Sequence, residues 1–305
     1  MPAYSIAQTL PQHIAEAIAR YARTEPIIPQ TFGVRPPLPR RERYLMPLIA
    51  VCRDWRLAIA PLFYKCAFVN PRKDYIPENY NREISLLSDV VENNCQGFVQ
   101  ELYMEIMVSD LRLSSEEWED KMPILDIRIG LSAVRSITLG LLSYGSWEYK
   151  VSPEDRDKPF EDNVHNNITT IVEQIERQAC NRWKVNVFTV CPGGGSGKTK
   201  EILDIFTARL GSFIGPDPRH LSLTDVTITK PLISHLSAAS LRSISIGRHK
   251  GSQQHVALVR HNANSLEKLQ LYYVTTQSVL KMIWSKSTTH HTHMYPRLKT
   301  LQMTY

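Results

Sequence analysis

Through the second part of the chain, short segments share one arrangement of positions, with apolar residues first, fourth and sixth. Val99-Gln100-Glu101-Leu102-Tyr103-Met104 shows it, and residues 134–139, 241–246, 266–271 and 298–303 repeat it. The closing alternation predicts short strands with one buried face. Weaker versions lie at residues 183–187 and 218–223. Between these strands, apolar positions recur at helical spacing over residues 168–177, 201–213, 231–239, 254–262 and 277–284. They predict amphipathic helices.

The central apolar residues Leu221, Ile244, Leu269 and Leu301 follow one another at 23, 25 and 32 residues. Such periods fall in or near the leucine-rich-repeat range, with longer units where loops insert. One strand and one helix cannot bury an apolar side alone, so successive units have to stack into a common core. Regular repeats carry Asn or Cys three positions past the last strand leucine, where this chain has His249 in one unit and Val274 in another. The expectation for residues 80–305 is therefore a divergent leucine-rich-repeat domain. Its outward strand positions are Ser243, Ser245, Lys268, Gln270, Tyr272, Thr300 and Gln302. Polar residues with one aromatic and one cation suit capture of a client protein, and plain solvent exposure is the alternative. The pattern runs to Tyr305 inside a strand without a polar capping unit, as in a truncated fragment or an array whose last unit is exposed.

The N-terminal part reads differently. Thr9 can cap a first helix, Pro11 suits its first turn, and Ile14, Ala17, Ile18 and Tyr21 recur at helical spacing. Residues 25–43 hold Pro26, Pro29, Pro36, Pro37 and Pro39, which no continuous helix accommodates. A second helical run from about Tyr44 carries Leu48, Val51, Trp55 and Ile59, and Pro61 is expected to break it. Leu10-Pro11-Gln12-His13-Ile14 with Ile18, then Val51-Cys52-Arg53-Asp54-Trp55-Arg56-Leu57-Ala58, then Pro61-Leu62-Phe63-Tyr64 resemble the F-box family. In form they are similar to the F-box-like type of many fungal proteins.

The resemblance implies a helical module over residues 1–70, with residues 25–43 as a proline-rich insertion longer than the family usually has. It also implies docking on the Skp-type linker of a cullin–RING ubiquitin ligase. The family's apolar, partner-facing positions map onto Leu10, Pro11, Ile14, Ile18, Val51, Trp55 and Leu62. A core-facing helical stripe is the other reading of the same residues. The expected fold class is thus α/β, a short N-terminal helical F-box-like module followed by an irregular leucine-rich-repeat solenoid. The implied function is a substrate-recruiting adaptor of an SCF-type ubiquitin ligase, which itself performs no bond chemistry and needs no cofactor. A leucine-rich scaffold with no ligase link is a further alternative.

Composition adds limits. The chain has 305 residues, 43% hydrophobic and 22% charged, which is globular rather than disordered composition. No apolar stretch approaches the roughly 20 residues of a membrane span, and no secretory signal opens the sequence. Cys52, Cys66, Cys95, Cys180 and Cys191 are odd in number and widely spaced, as in a reducing compartment, so a cytoplasmic or nuclear location is expected. The formal charge is +6 and the 36 Lys and Arg are scattered, with Arg40, Arg41 and Arg43 the densest run. A solvated basic surface is expected rather than a nucleic-acid interface.

One motif could carry chemistry. Pro192-Gly193-Gly194-Gly195-Ser196-Gly197-Lys198-Thr199 follows an apolar strand and precedes a helix, the setting of a phosphate-binding loop. In a nucleotide-binding switch Gly197 and Lys198 would hold phosphates and Thr199 would ligate Mg²⁺. The first glycine of that pattern is Pro192 here, and no convincing partner strand for the metal accompanies it, residues 221–225 being the best candidate. His290, His291 and His293 lack ligands to complete a tetrahedral metal site and read as a polar loop. Glu116, Glu117, Glu119 and Asp120 around Trp118 read as a solvated helix face.

Overall fold

The computed structural model describes residues 11, 13–15, 17, 53–69, 87–121, 131–143, 160–178, 183–190, 197–215, 217–236, 240–247, 253–273 and 295–304. Among these, eight strands form one sheet: β1 (Cys66–Val69), β2 (Glu101–Met107), β3 (Ser136–Leu142), β4 (Lys184–Val190), β5 (His220–Thr224), β6 (Ser243–Gly247), β7 (Lys268–Tyr272) and β8 (Thr300–Thr304). Every neighbouring pair is parallel, and the strands lie side by side in sequence order. Because the order never reverses, the sheet has no switch-point crevice of the doubly wound kind. All seven segments singled out by the apolar pattern contribute strands.

One described helix, α1 (Arg53–Phe63), precedes β1, and the others lie between strands: α2 (Leu87–Glu92), α3 (Ser115–Lys121), α4 (Phe160–Gln178), α5 (Gly197–Ile214), α6 (Lys230–Leu236) and α7 (Gln253–His261). Their apolar stripes meet one face of the sheet. Ile168, Ile171 and Ile175 of α4, Phe206 and Leu210 of α5, Leu232 of α6 and Leu258 of α7 share one buried cluster with the sheet. The sheet supplies two in-register rows. Ala67, Leu102, Ile137, Val185, Leu221, Ile244 and Leu269 form the first, and Val69, Met104, Leu139, Val187, Leu223, Ile246 and Leu271 the second. Full burial of such side chains contributes about 1.5–3 kcal/mol each. On β8 the same two rows surface at Leu301 and Met303, each 42% exposed.

This architecture corrects the expected fold class. An F-box-like helical module followed by a leucine-rich-repeat solenoid would separate two cores near residues 70–80. Instead, the described residues form one α/β unit with a single all-parallel sheet, whose first strand is Cys66–Val69. Helix α1 packs Trp55, Ala58, Ile59 and Phe63 into the same cluster as the sheet, and Ala15 joins them. The physical reason lies in the apolar stripe of α1. Its spacing serves a partner groove or a core equally well, and here the chain's own core takes it. Pro61 sits inside α1 rather than ending it. Near the C-terminus its missing N–H removes only one helical bond, and the Tyr64 N–H still reaches the Ala60 carbonyl at 2.9 Å.

Local polar bonds fix how the elements join. Ser114 and Glu117 form a reciprocal capping box at the start of α3. Glu116 and Glu117 are exposed as the acidic run suggested, but Trp118 on the same helix is 5% exposed and belongs to the core. Buried Asn167 of α4 donates to the Leu111 and Leu113 carbonyls at 3.0 and 2.8 Å. Buried Asn262 accepts from the Leu241 N–H and donates to the Leu258 carbonyl, tying α7 to the entry of β6. Two strands end on left-handed residues, Asp225 after β5 (φ 55°) and Tyr273 after β7 (φ 53°).

The predicted helix at 277–284, the His290–His293 loop and the proline-rich insertion lie outside the described residues, as do Pro192 to Ser196.

Candidate functional site

The face of the sheet opposite the described helices is divided. On β1 to β4 it is largely apolar, with the carboxylates of Glu101 and Glu105 on β2. Phe68, Tyr103, Leu142 and Phe188 form a second buried cluster, with Met107 and Val190 against it. The Phe68 and Tyr103 rings stack at 5.5 Å between centroids, and Tyr103 meets Phe188 at 6.2 Å. Gly140, paired with Phe188 across β3 and β4, makes room for that ring. A β-carbon there would stand 2.4 Å from the Phe188 Cζ.

From β4 to β8 the same face is polar. The row Asn186, Ser222, Ser245, Gln270 and Gln302 crosses it in register. Gln270 donates to Gln302 at 2.9 Å and to the Tyr272 hydroxyl at 2.6 Å, so these amides are pre-set by the sheet. Burial raises the Tyr272 phenol above its ordinary value despite that bond.

Toward the N-terminal ends of the strands this polar face becomes a cleft of about 800 Å³. Two ranks of side chains build it. The first is the opening row of the strands, Lys184, His220, Ser243, Lys268 and Thr300, one residue from each in register. The second is the residue before each strand: Trp183, Arg219, Arg242, Glu267 and Lys299. Backbone bonds hold this rank as firmly as the strands. The Arg219 N–H donates to the Trp183 carbonyl, Arg242 to Arg219, Glu267 to Arg242 and Lys299 to Glu267, all at 2.8–2.9 Å.

Charge in the cleft is one-sided. Lys184, Arg219, Arg242, Lys268 and Lys299 line it against the single carboxylate of Glu267. Glu267 bonds Lys299 at 3.0 Å and lies 3.9 Å from Arg242. The Lys299 hydrogen bond and charge hold its carboxyl below the usual range. At the other end of the sheet the balance is local: Lys65 pairs with Glu101 at 2.8 Å. Burial pushes the Glu101 carboxyl up, but Lys65, the Cys66 thiol and Lys184 together hold it down.

His220 registers the field at the cleft. Burial, then the charges of Lys184, Arg242, Arg219 and Lys268, push its imidazole below the ordinary histidine value. It is therefore neutral at neutral pH and can donate or accept there. Trp183, 44% exposed, carries the guanidinium carbons of Arg135 and Arg219 at 4.9 and 5.1 Å from its ring. Stacking on the ring holds both planar cations at the rim with their donors available.

The arrangement is suited to binding anions by charge and hydrogen bonds. The fixed cations supply charge, and the hydroxyls of Ser222 and Ser243 supply hydrogen bonds beside them.

Of the expected client-binding residues, Ser243, Ser245, Lys268, Gln270 and Thr300 line this cleft, while Tyr272 and Gln302 flank it on the same face. Of the expected linker-binding residues, Pro11 and Ile14 are exposed, Leu62 is half-buried against the core, and Trp55 is 3% exposed inside it. Leu10, Ile18 and Val51 lie outside the described residues. Gly197, Lys198 and Thr199 occupy the first turn of α5 after β4, the order a phosphate-binding loop needs, while the loop proper lies outside the described residues.

Sequence reasoning did not single out Trp183, Lys184, Arg219, His220, Arg242, Glu267 and Lys299 for the site. The signal was present. Each occupies one of the two polar positions between the first and second apolar residues of the strand pattern, or the matching place in its weaker versions. No family model, curated protein or solved structure matches the chain. No described helix is long and apolar enough to cross a membrane.

Proposed function

We propose that the chain is a recruiting adaptor, which holds an acidic segment of a client protein in the cleft across β4 to β8. The one-sided charge of the cleft carries this reading, since five cations face one carboxylate. The width supports it. Four strand spacings of about 4.8 Å make a platform of roughly 19 Å, the length of about six extended residues. Hydroxyls and amides between the cations offer bonds to a peptide backbone.

The ligase connection rests on the resemblance of Leu10–Ile14, Val51–Ala58 and Pro61–Tyr64 to the F-box family. In that reading the N-terminal residues contact a Skp-type linker, and the client is ubiquitinated because capture raises its local concentration near the charged carrier. The exposed residues Ile14 and Leu57 (37% and 53%) are apolar groups that such a contact could cover.

A single co-precipitation tests both halves. Immobilised fungal Skp-type linker is mixed with a fluorescent Asp/Glu-rich peptide, with and without the full chain. The expected result is peptide retained only when the chain is present, and released as salt is raised toward 1 M, where screening acts within about 3 Å. Peptide binding in a linker-free titration of the chain, with none retained on the immobilised linker, would remove the ligase role and leave the cleft. Failure of both would overturn the reading.

A further inference from the structure

Four cations converge on one place in the cleft. Lys184 is the direct neighbour of His220 in the opening row, Arg219 precedes His220, and Arg242 precedes the next neighbour, Ser243. Lys268 follows Ser243 across the row. All four bear electrostatically on His220. Adjacent strands stand about 4.8 Å apart, so these groups occupy a patch narrower than roughly 15 Å.

Carboxylates on an extended peptide can balance the cleft as a whole, but their spacing does not concentrate charge at this patch. Side chains on one side of a strand recur at about 6.6 Å and carry one charge each. Several cations around His220 would be left unmatched. A single dianionic group with three acceptor oxygens suits the patch better, because it can take bonds from Arg219 and Arg242 together and from Lys184 and Lys268 at either side. Ser222 and Ser243 place hydroxyl donors on the same surface. Glu267 is engaged chiefly by Lys299 at the far rim, 3.0 Å away, while Arg242 stands 3.9 Å from it.

We infer that this patch, formed by Lys184, Arg219, His220, Arg242 and Lys268, is a subsite for a phosphate monoester on a serine or threonine of the client segment. The inference rests on the proposed reading of the cleft and names the modification that would switch recruitment on. His220 adds a ring nitrogen that can share a hydrogen bond with the phosphate. A nucleic acid is matched less well, since its phosphates are monoanionic diesters strung along a backbone, whereas the cations here cluster around one residue.

Fluorescence anisotropy with the full chain tests it. Three labelled peptides of about ten residues differ only at a central position, as phosphoserine, serine or glutamate, and a labelled single-stranded oligonucleotide is the fourth probe. The phosphoserine peptide is expected to bind about tenfold or more tighter than the serine and glutamate peptides. That advantage is expected to disappear in Arg219→Ala and in Lys268→Ala, each checked for an unchanged circular dichroism melt. Equal affinities for the three peptides would overturn the phosphate subsite and leave the acidic-segment reading standing. Absence of any peptide binding would overturn both. Tighter binding of the oligonucleotide than of the phosphopeptide would assign the patch to nucleic acid and overturn the inference.

Discussion

Reversing two charges at the mouth of the cleft, Lys184→Glu with Lys268→Glu, is expected to weaken binding of an acidic peptide on the order of 100-fold. These residues open β4 and β7 and flank His220 and Ser243 in one register row. Each reversal changes the local charge by two, and setting like charges against a ligand costs several kcal/mol, so about 3 kcal/mol for the pair is a conservative sum. The loss should be largest at low salt and shrink as salt rises, because exposed charges are screened. Lys184 is exposed and Lys268 half-buried, so thermal stability should change little. Equilibrium titration at two salt concentrations, beside a thermal melt, checks this. A double variant that melts like wild type and binds the peptide as tightly would contradict the assignment of the cleft.

Trp55→Ala should destabilise the chain by about 3–5 kcal/mol, a large fraction of the stability of an ordinary domain. The side chain is 3% exposed and shares the main cluster with Ile59 of its own helix and with the sheet. Truncation removes the transfer free energy of the indole and leaves a cavity that the parallel sheet cannot readily close. Trp55→Phe keeps most of the volume and is expected to cost much less. Urea unfolding of the three proteins measures the difference. If Trp55 instead faced a partner, both variants would unfold like wild type and lose only the partner. The contrast also matters for any linker experiment, since loss of binding in Trp55→Ala follows from unfolding alone. Leu57, on the same helix and 53% exposed, is the position where a substitution can report on docking without disturbing the core.

Much of the fold could be read in the chain before its structure. Segments such as Leu241-Arg242-Ser243-Ile244-Ser245-Ile246 alternate strictly at their ends, and a register slip would turn their core rows to solvent. Strands appear at each of them for that reason. The N-terminal part was legible only to the level of helix. The stripe Trp55, Ile59 and Phe63 states that something apolar covers α1, but a stripe does not say whether the cover is a partner or the same chain. Cys66 to Val69 is too short a run to announce a strand, so the sheet whose core α1 shares was not foreseen.

The candidate site was half legible. Ser243, Ser245, Lys268, Gln270 and Thr300 followed from strand alternation, because outward positions are fixed once the buried ones are known. The basic character of the cleft did not follow. Along the sequence Arg135, Lys184, Arg219, Arg242, Lys268 and Lys299 lie far apart, and they read as scattered solvated charges. Stacking parallel strands in sequence order brings the same motif position of each strand to one edge. Residues separated by tens of positions then stand about 4.8 Å apart in neighbouring strands. Density of charge along a chain is therefore a poor guide to density of charge in a parallel sheet; position within the repeated pattern is the better one.

In the proposed function the polar open face of β4 to β8, and not the helical face, receives the partner. Site-specific photocrosslinking tests it most directly, with p-benzoylphenylalanine introduced at Ser245 on the open face or at exposed Ala257 on α7. The expected result is a crosslink to an acidic peptide from position 245 that is lost in the Lys184→Glu/Lys268→Glu background, and none from position 257. Crosslinking from position 257, or from both positions alike, would contradict it.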